Sequence, residues 1–313
     1  MSIQPRPKAL LIAGPTASGK SAFAIAAARA RGGVVINADS MQVYRELRVL
    51  TARPTEADEA GVPHRLFGHV SAAEPYSVAR WLDEVSAEIA AAEEAGLLPV
   101  ITGGTGLYFK ALLEGLSPVP PIPDEVRSHW RAVAETLGTD DLHAELMRRD
   151  ALTAAQIRPG DRQRTVRGLE VITATGRPLA EWQAIRGRPV VDMGSVAKVV
   201  ISRPRDELYE RCERRFRQMI REGALDEVRR VGAMQLDPAL PAARALGLAP
   251  LLAHVAGEIS QEEAVSTAVR QTRQYIKRQM TWLRRYMISW SFMNTQESES
   301  QLANNFPILD FMH

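Results

Sequence analysis

Residues 9–21 read Ala9-Leu10-Leu11-Ile12-Ala13-Gly14-Pro15-Thr16-Ala17-Ser18-Gly19-Lys20-Ser21. The first five are an apolar run suited to a buried strand. The last eight conform to G-x-x-x-x-G-K-[ST]. The alanine-rich stretch 22–30 that follows has high helix propensity. Strand, glycine loop and helix in that order form a phosphate cradle of the nucleotide-binding type. Loop N–H groups and the positive end of the helix dipole stabilise a multiply charged anion at one point. Gly14, Pro15, Thr16, Ala17, Ser18, Gly19, Lys20 and Ser21 are therefore assigned to a di- or triphosphate. Lys20 adds a point charge, and the Ser21 hydroxyl is the candidate ligand of a Mg²⁺ that bridges phosphate oxygens.

Working outward, strand and helix signals alternate. Residues 34–36 form a second short buried strand and 81–95 an amphipathic helix with Leu82, Val85 and Ile89 on one stripe. Residues 97–102 form a third strand and 107–113 another helix. This alternation predicts an α/β fold of the P-loop NTPase-like kind, a mostly parallel sheet flanked by helices. Ser117-Pro118-Val119-Pro120-Pro121-Ile122-Pro123 interrupts it, since four prolines in six residues stop helix and central strand alike. Helices are expected at 124–137, 140–149, 153–157 and 162–174, with little strand signal. Past Gly187-Arg188-Pro189 a buried strand returns at 197–201, followed by long helices. The expected organisation is a P-loop core from 1–117 and 190–313, with an all-helical insertion at 118–189. The polar stretch 294–305 is expected to fray.

At 313 residues, 45% hydrophobic and 24% charged, the composition is that of an ordinary soluble globular protein. No apolar stretch reaches membrane-spanning length and no signal sequence leads the chain. The single cysteine, Cys212, excludes an internal disulfide, which makes a reducing cytoplasm the expected location and Cys212 a bystander. A monomer is the expected state. The net charge is only +2, but the basic residues are grouped. Residues 270–285 hold six basic side chains and no acidic one, 203–221 hold seven arginines, and 158–167 hold four. Such runs suggest a polyanion larger than a nucleotide.

Asp39, just past the second strand, is read either as a Mg²⁺ ligand or as a general base meeting a second substrate; its spacing does not separate the two. Gly103-Gly104-Thr105-Gly106 closes the third strand, where adjacent glycines admit close backbone approach and the Thr105 hydroxyl can donate to a phosphate oxygen. No N-K-x-D guanine-reading signature is present. An ATP-dependent kinase of a small molecule would use the same cradle, with Asp39 as base on a hydroxyl, and stands as the alternative.

Taken in order, several blocks resemble the tRNA dimethylallyltransferase (tRNA isopentenyltransferase) family. They are residues 14–21, Asp39-Ser40-Met41-Gln42-Val43-Tyr44, Pro63-His64-Arg65-Leu66, and Gly103-Gly104-Thr105-Gly106-Leu107-Tyr108. Pro159 with Asp161-Arg162-Gln163-Arg164 and Arg167 continues the series, and Lys277-Arg278-Gln279-Met280-Thr281-Trp282-Leu283-Arg284 ends it. The resemblance implies that the cradle takes dimethylallyl diphosphate with Mg²⁺. It implies transfer of the allyl group to the exocyclic amine of the adenosine 3′ of the anticodon in a tRNA anticodon stem-loop. By the same resemblance Asp39 is the base, and Thr105 and Arg127 stabilise the leaving diphosphate. Asp39, Ser40, Met41, Gln42, Thr105 and Arg127, with Gln163, Arg164, Thr165, Val166 and Arg167 from the insertion, are implied to contact tRNA. Two positions depart from the family pattern. Ala245-Leu246-Gly247-Leu248 has leucine where a tyrosine is usual, which removes a stacking ring. Gly168 replaces an alanine, which is expected to weaken its helix by about 1 kcal/mol.

Overall fold

The computed structural model describes residues 7–294; the polar tail beyond, expected to fray, lies outside the described residues. These residues form two compact units. One falls within Met1–Leu113 and Val190–His313, the other is Glu114–Pro189.

The first unit opens with β1 (Ala9–Ala13), α1 (Lys20–Arg31), β2 (Gly33–Asn37), the short α2 (Glu56–Glu59), β3 (His64–Arg65), α3 (Val78–Glu94), β4 (Leu98–Gly103) and α4 (Gly106–Glu114). The second unit holds α5 (Asp124–Thr136), α6 (Thr139–Arg149), α7 (Ala151–Ala154), α8 (Arg162–Thr175) and α9 (Leu179–Ala184). The first then resumes with β5 (Val196–Ser202), α10 (Arg205–Arg221), α11 (Ala224–Ala233), α12 (Leu248–Val255), α13 (Gln261–Tyr286) and β6 (Ser291–Asn294).

Among the described residues the strands form one sheet in the order β3-β2-β4-β1-β5-β6, with every pairing parallel. A parallel sheet must be covered on both faces, and the alternation along β1 shows how. Ala9, Leu11 and Ala13 belong to one apolar cluster with Trp81, Phe109, Val228 and Leu251, whereas Leu10 and Ile12 join Phe23, Ala24 and Ala27 of α1 in another. Successive side chains point to opposite faces, so both layers are anchored by the same strand. The register places β4 and β5 on either side of β1, with β2 beyond β4. The loops leaving the carboxyl ends of β1, β2 and β4 therefore lie side by side, where ligands bind in open α/β sheets.

The second unit has its own core of Trp130, Ala134, Leu142, Leu146, Ala154 and Leu169. It begins at Glu114, the last residue of α4, ahead of the proline run. The helix expected at 153–157 ends earlier, at Ala154. Gly168 has a packing role there. A methyl group on it would lie 2.9 Å from Leu146 Cδ1, so a core leucine occupies the space an alanine would need. The expected gain from alanine is thus opposed by crowding.

Candidate active site

β2 ends in a clamp. Asn37 Nδ2 donates to the carbonyls of Asp39 (2.9 Å) and Leu66 (3.1 Å), and its Oδ1 accepts from the Asp39 N–H (2.8 Å). The indole of Trp81 donates to the Asn37 carbonyl at 2.8 Å, tying this turn to α3. Asp39 Oδ1 then accepts from the Met41 N–H (3.0 Å), which fixes the carboxylate's rotamer. From the neighbouring loop Thr105 Oγ1 accepts from the Ser40 N–H (3.0 Å) and donates to Ser40 Oγ (3.3 Å).

The cradle itself is built as its sequence requires. Gly19 caps α1 in the left-handed region (φ 96°), and Lys20 is the first helical residue. Arg203 Nε donates to the Ser18 carbonyl (3.1 Å) and Arg211 Nε to the Ala17 carbonyl (3.0 Å), so the loop's carbonyls are tied to α10 and its approach. On the other side Gln279 of α13 joins two loops. Its Oε1 accepts from the Thr16 N–H and its Nε2 donates to the Gly104 carbonyl, both at 3.0 Å. The glycines of the second loop are needed for this approach. A Cβ on Gly104 would meet Gln279 Nε2 at 2.4 Å, and one on Gly106 would meet the Trp282 ring at 2.2 Å. The late Lys-Arg-Gln-x-Thr-Trp block is therefore the staple between the cradle and the Thr105 loop.

A cavity of about 280 Å³ opens where these loops meet. Thr16, Lys20 and Ser21 form one wall and the 39–42 segment another; Leu50 and Thr51 continue the latter. Arg215, Phe216 and Met219 of α10 face them, with Arg244, Leu246, Tyr275 and Arg278 completing the lining. The cations Lys20, Arg215, Arg244 and Arg278 line the same cavity as the Asp39 carboxylate, so the field suits an anion. Burial lowers Lys20 to about 8, with Asp39 opposing and Arg215 adding to the shift. Burial likewise lowers Arg215 below the ordinary arginine value, while Asp39 works against it. Tyr275 is pushed well up, first by burial and then by the charge of Asp39. The Cys212 thiol lines the same cavity and burial pushes it up, which disfavours the reactive thiolate.

The structure brings Lys20, Ser21, Asp39, Ser40, Met41 and Gln42 to one cavity. Thr105 stands behind Ser40. Arg127 belongs to α5 of the second unit, where it faces Asp124 at 3.9 Å. Two of the expected tRNA contacts have side chains turned into the second unit. Thr165 is fully buried and its hydroxyl donates to the Asp161 carbonyl, and Val166 is partly buried against the second unit's core. Gln163 and Arg164 are exposed, and Arg167 is half-buried beside Glu170. Leu248, at the family's tyrosine position, is buried in the large core; the adjacent cavity wall is made by Arg244, Ala245 and Leu246. The basic run of α10 is also partly redirected. Arg211 and Arg215 serve the cradle and cavity, and Arg217 pairs with Glu262 at 2.8 Å. Arg203 and Arg215 carry no motif of their own; only their place beside the apolar stripe Leu208, Cys212, Phe216, Met219 hints at an inward direction.

Comparison with known proteins follows the geometry. The IPP transferase profile matches residues 42–286 and the isopentenyl transferase profile matches residues 7–67. The chain is 52% identical over 307 residues to a tRNA dimethylallyltransferase of Parvibaculum lavamentivorans, covering 98% of this chain and 97% of that one. Among solved structures, the full-length tRNA isopentenylpyrophosphate transferase of Bacillus halodurans superposes with a TM-score of 0.68 at 30% identity, covering 98% and 97% of the two chains. A eukaryotic dimethylallyltransferase acting on tRNA has the same fold, with a TM-score of 0.79 at 24% identity over 96% of this chain and 77% of that one.

Proposed function

The chain belongs to the tRNA dimethylallyltransferase family, and we propose on that premise how its cavity performs the transfer. The enzyme moves a dimethylallyl group from dimethylallyl diphosphate to the N6 amine of the adenosine 3′ of the anticodon in tRNA, releasing diphosphate. One observation carries the mechanism: the phosphate cradle and the Asp39 carboxylate open into the same cavity. The kinase alternative gives way to the family assignment.

The adenine amine is a weak nucleophile because its lone pair is delocalised into the ring. Asp39 takes its proton as the bond from N6 to the allylic carbon forms and the carbon–oxygen bond to diphosphate breaks. Met41 holds one carboxylate oxygen, and Oδ2 lies on the Gly104 side. Charge accumulates on the departing oxygen, and Lys20, Arg215 and the loop amides receive it. The Thr105 hydroxyl, hydrogen-bonded to Ser40 at 3.3 Å and to the Tyr275 side chain, is assigned to a diphosphate oxygen by resemblance. Arg127 is assigned to the leaving group by resemblance alone; on α5 it faces the exposed Asp124 at 3.9 Å. The Ser21 hydroxyl offers a hard oxygen donor at the cavity and would hold a Mg²⁺ that arrives with the diphosphate. Mg²⁺ bound there neutralises diphosphate charge. The target base is inaccessible while stacked, so it enters the cavity flipped out of the anticodon loop.

No helix of the described residues is long and apolar enough to cross a membrane. We place the enzyme in the cytoplasm, acting on tRNA as a monomer. Nucleoside mapping tests the reading: incubation of under-modified tRNA with dimethylallyl diphosphate and Mg²⁺ should yield one N6-dimethylallyl adenosine, next to the anticodon. Modification elsewhere, or of free adenine nucleotides alone, would refute it.

The second unit's arginines supply a further expectation. Arg164 pairs with Asp161 and Arg167 with Glu170, each at 3.3 Å; the first is a surface pair easily exchanged for a phosphate, while the second joins a half-buried arginine to a buried carboxylate. If both meet tRNA, Arg164→Ala plus Arg167→Ala weakens tRNA binding and lowers the salt slope by roughly 0.7 to 0.9 per lost contact. Dimethylallyl diphosphate affinity should stay intact. Parallel salt plots for wild type and the double variant would show these arginines to be structural.

A further inference from the structure

α11 carries a glutamate on its buried face. Glu227 is only 2% exposed and lies among Ala224, Val228 and Val231, all buried. A carboxylate in such a wall persists only when its oxygens are fully engaged. Three consecutive backbone N–H groups engage them. Arg48 and Val49 donate to Oε2 at 2.9 and 2.7 Å, and Leu50 donates to Oε1 at 2.9 Å. The amides converge on the carboxylate as a backbone nest converges on an anion. The turn they belong to continues into Thr51 and Ala52, whose carbonyls accept from Gln42 Nε2 at 2.9 and 3.1 Å. Leu50, Thr51 and Gln42 all line the cavity. A set of hydrogen bonds thus runs from α11, through the 48–52 turn, to the wall of the cavity that holds Gln42.

We propose that Glu227 is a positioning residue for the acceptor base. Its carboxylate fixes the 48–50 turn, the turn fixes Gln42, and Gln42 sets the wall against which the flipped adenosine is held. This rests on the tRNA reading above. The cradle takes no part in the arrangement, because its own ties run to Arg203, Arg211 and Gln279. Glutamine at position 227 keeps the volume but removes the charge and turns an NH₂ group toward N–H donors. One or more amides then lose their acceptor, and the turn relaxes.

Glu227→Gln is therefore expected to raise the KM for tRNA by about 10-fold or more, the size of one lost charge-assisted hydrogen bond. The KM for dimethylallyl diphosphate and the affinity for Mg²⁺-diphosphate should remain near wild type, which also reports that the fold is intact. Gln42→Leu cuts the same connection from its other end and should raise the tRNA KM comparably. Because both act through one turn, the double variant should be no worse than the more affected single one. An unchanged tRNA KM in Glu227→Gln, multiplicative effects in the double variant, or a parallel loss of diphosphate affinity would each overturn the proposal. Wild-type transfer to tRNA with indifferent variants removes this proposal alone, whereas a wild type that modifies no tRNA removes the reading beneath it.

Discussion

Replacing Asp39 by asparagine is expected to slow single-turnover prenyl transfer by about 10²- to 10⁴-fold, the span of general acid–base catalysis. Asparagine is the informative substitution because its Oδ1 can still accept from the Met41 N–H, at 3.0 Å in the native turn. The Ser40 N–H remains bound to Thr105, so the backbone around the base is preserved. Only the charge and the proton-accepting oxygen are lost. Affinities for tRNA and for Mg²⁺-diphosphate should then change little, and the defect should sit in the chemical step. Rapid-quench measurement with enzyme in excess checks this. A near-normal single-turnover rate combined with weakened Mg²⁺ dependence would make Asp39 a metal residue and place the base elsewhere.

Lys20→Met is expected to weaken Mg²⁺-diphosphate binding by about 10- to 10²-fold, the range for a lost hydrogen bond to a charged group. The pH dependence is more diagnostic. Burial holds Lys20 at about 8 in the free protein, and a bound diphosphate stabilises its charged form. Binding near and above pH 8 must therefore take up a proton, and affinity should fall as pH rises through that value. Titration calorimetry in buffers of different ionisation enthalpy measures the uptake, which Lys20→Met should abolish. The linkage to stability has the opposite sense. A lysine whose folded pKa is lowered binds fewer protons folded than unfolded between about 8 and its ordinary 10.5. Stability of the free protein consequently rises across that window, and the cost of burying the charge is fully present below it. Lys20→Met should raise the melting temperature of the free protein at pH 7. A lower melting temperature, or proton uptake that survives the substitution, would contradict this account of the cradle.

The parts of this molecule that were legible in the sequence are those whose physics is local. β1, β2, β4 and β5 are buried on both faces, so each is a short apolar run bounded by turn residues. β3 has two residues and β6 four, both at sheet edges, and neither carries a period that sequence could display. The cradle was readable because its octet is contiguous, and Asp39 and the Thr105 loop because each closes a readable strand. What stayed hidden depends on which way a side chain points from a helix. Arg211 and Arg215 lie in a run that resembles a solvated basic face, yet they adjoin Cys212 and Phe216 on the buried stripe and turn inward. Gln279 was visible as part of a block, but its role was not. With Thr272 it is one of two polar residues on the buried α13 stripe that includes Val265, Ala268, Ile276 and Leu283, and such an exception signals a buried hydrogen-bonding duty. Glu227 is the same kind of exception on α11. In the second unit the helical pattern was legible, but the direction of Thr165 and Val166 was not, since a contiguous block of five residues on a helix cannot all face one partner.

The central claim is that the cradle holds a prenyl diphosphate and hands its carbon chain, not a phosphate, to tRNA. The most direct test supplies under-modified tRNA, Mg²⁺, carbon-labelled dimethylallyl diphosphate and γ-phosphate-labelled ATP to the enzyme in one reaction. The account predicts carbon label in tRNA, one diphosphate released per label transferred, and ATP recovered intact. Phosphate label in any acceptor, or ATP hydrolysed in step with tRNA modification, would contradict it.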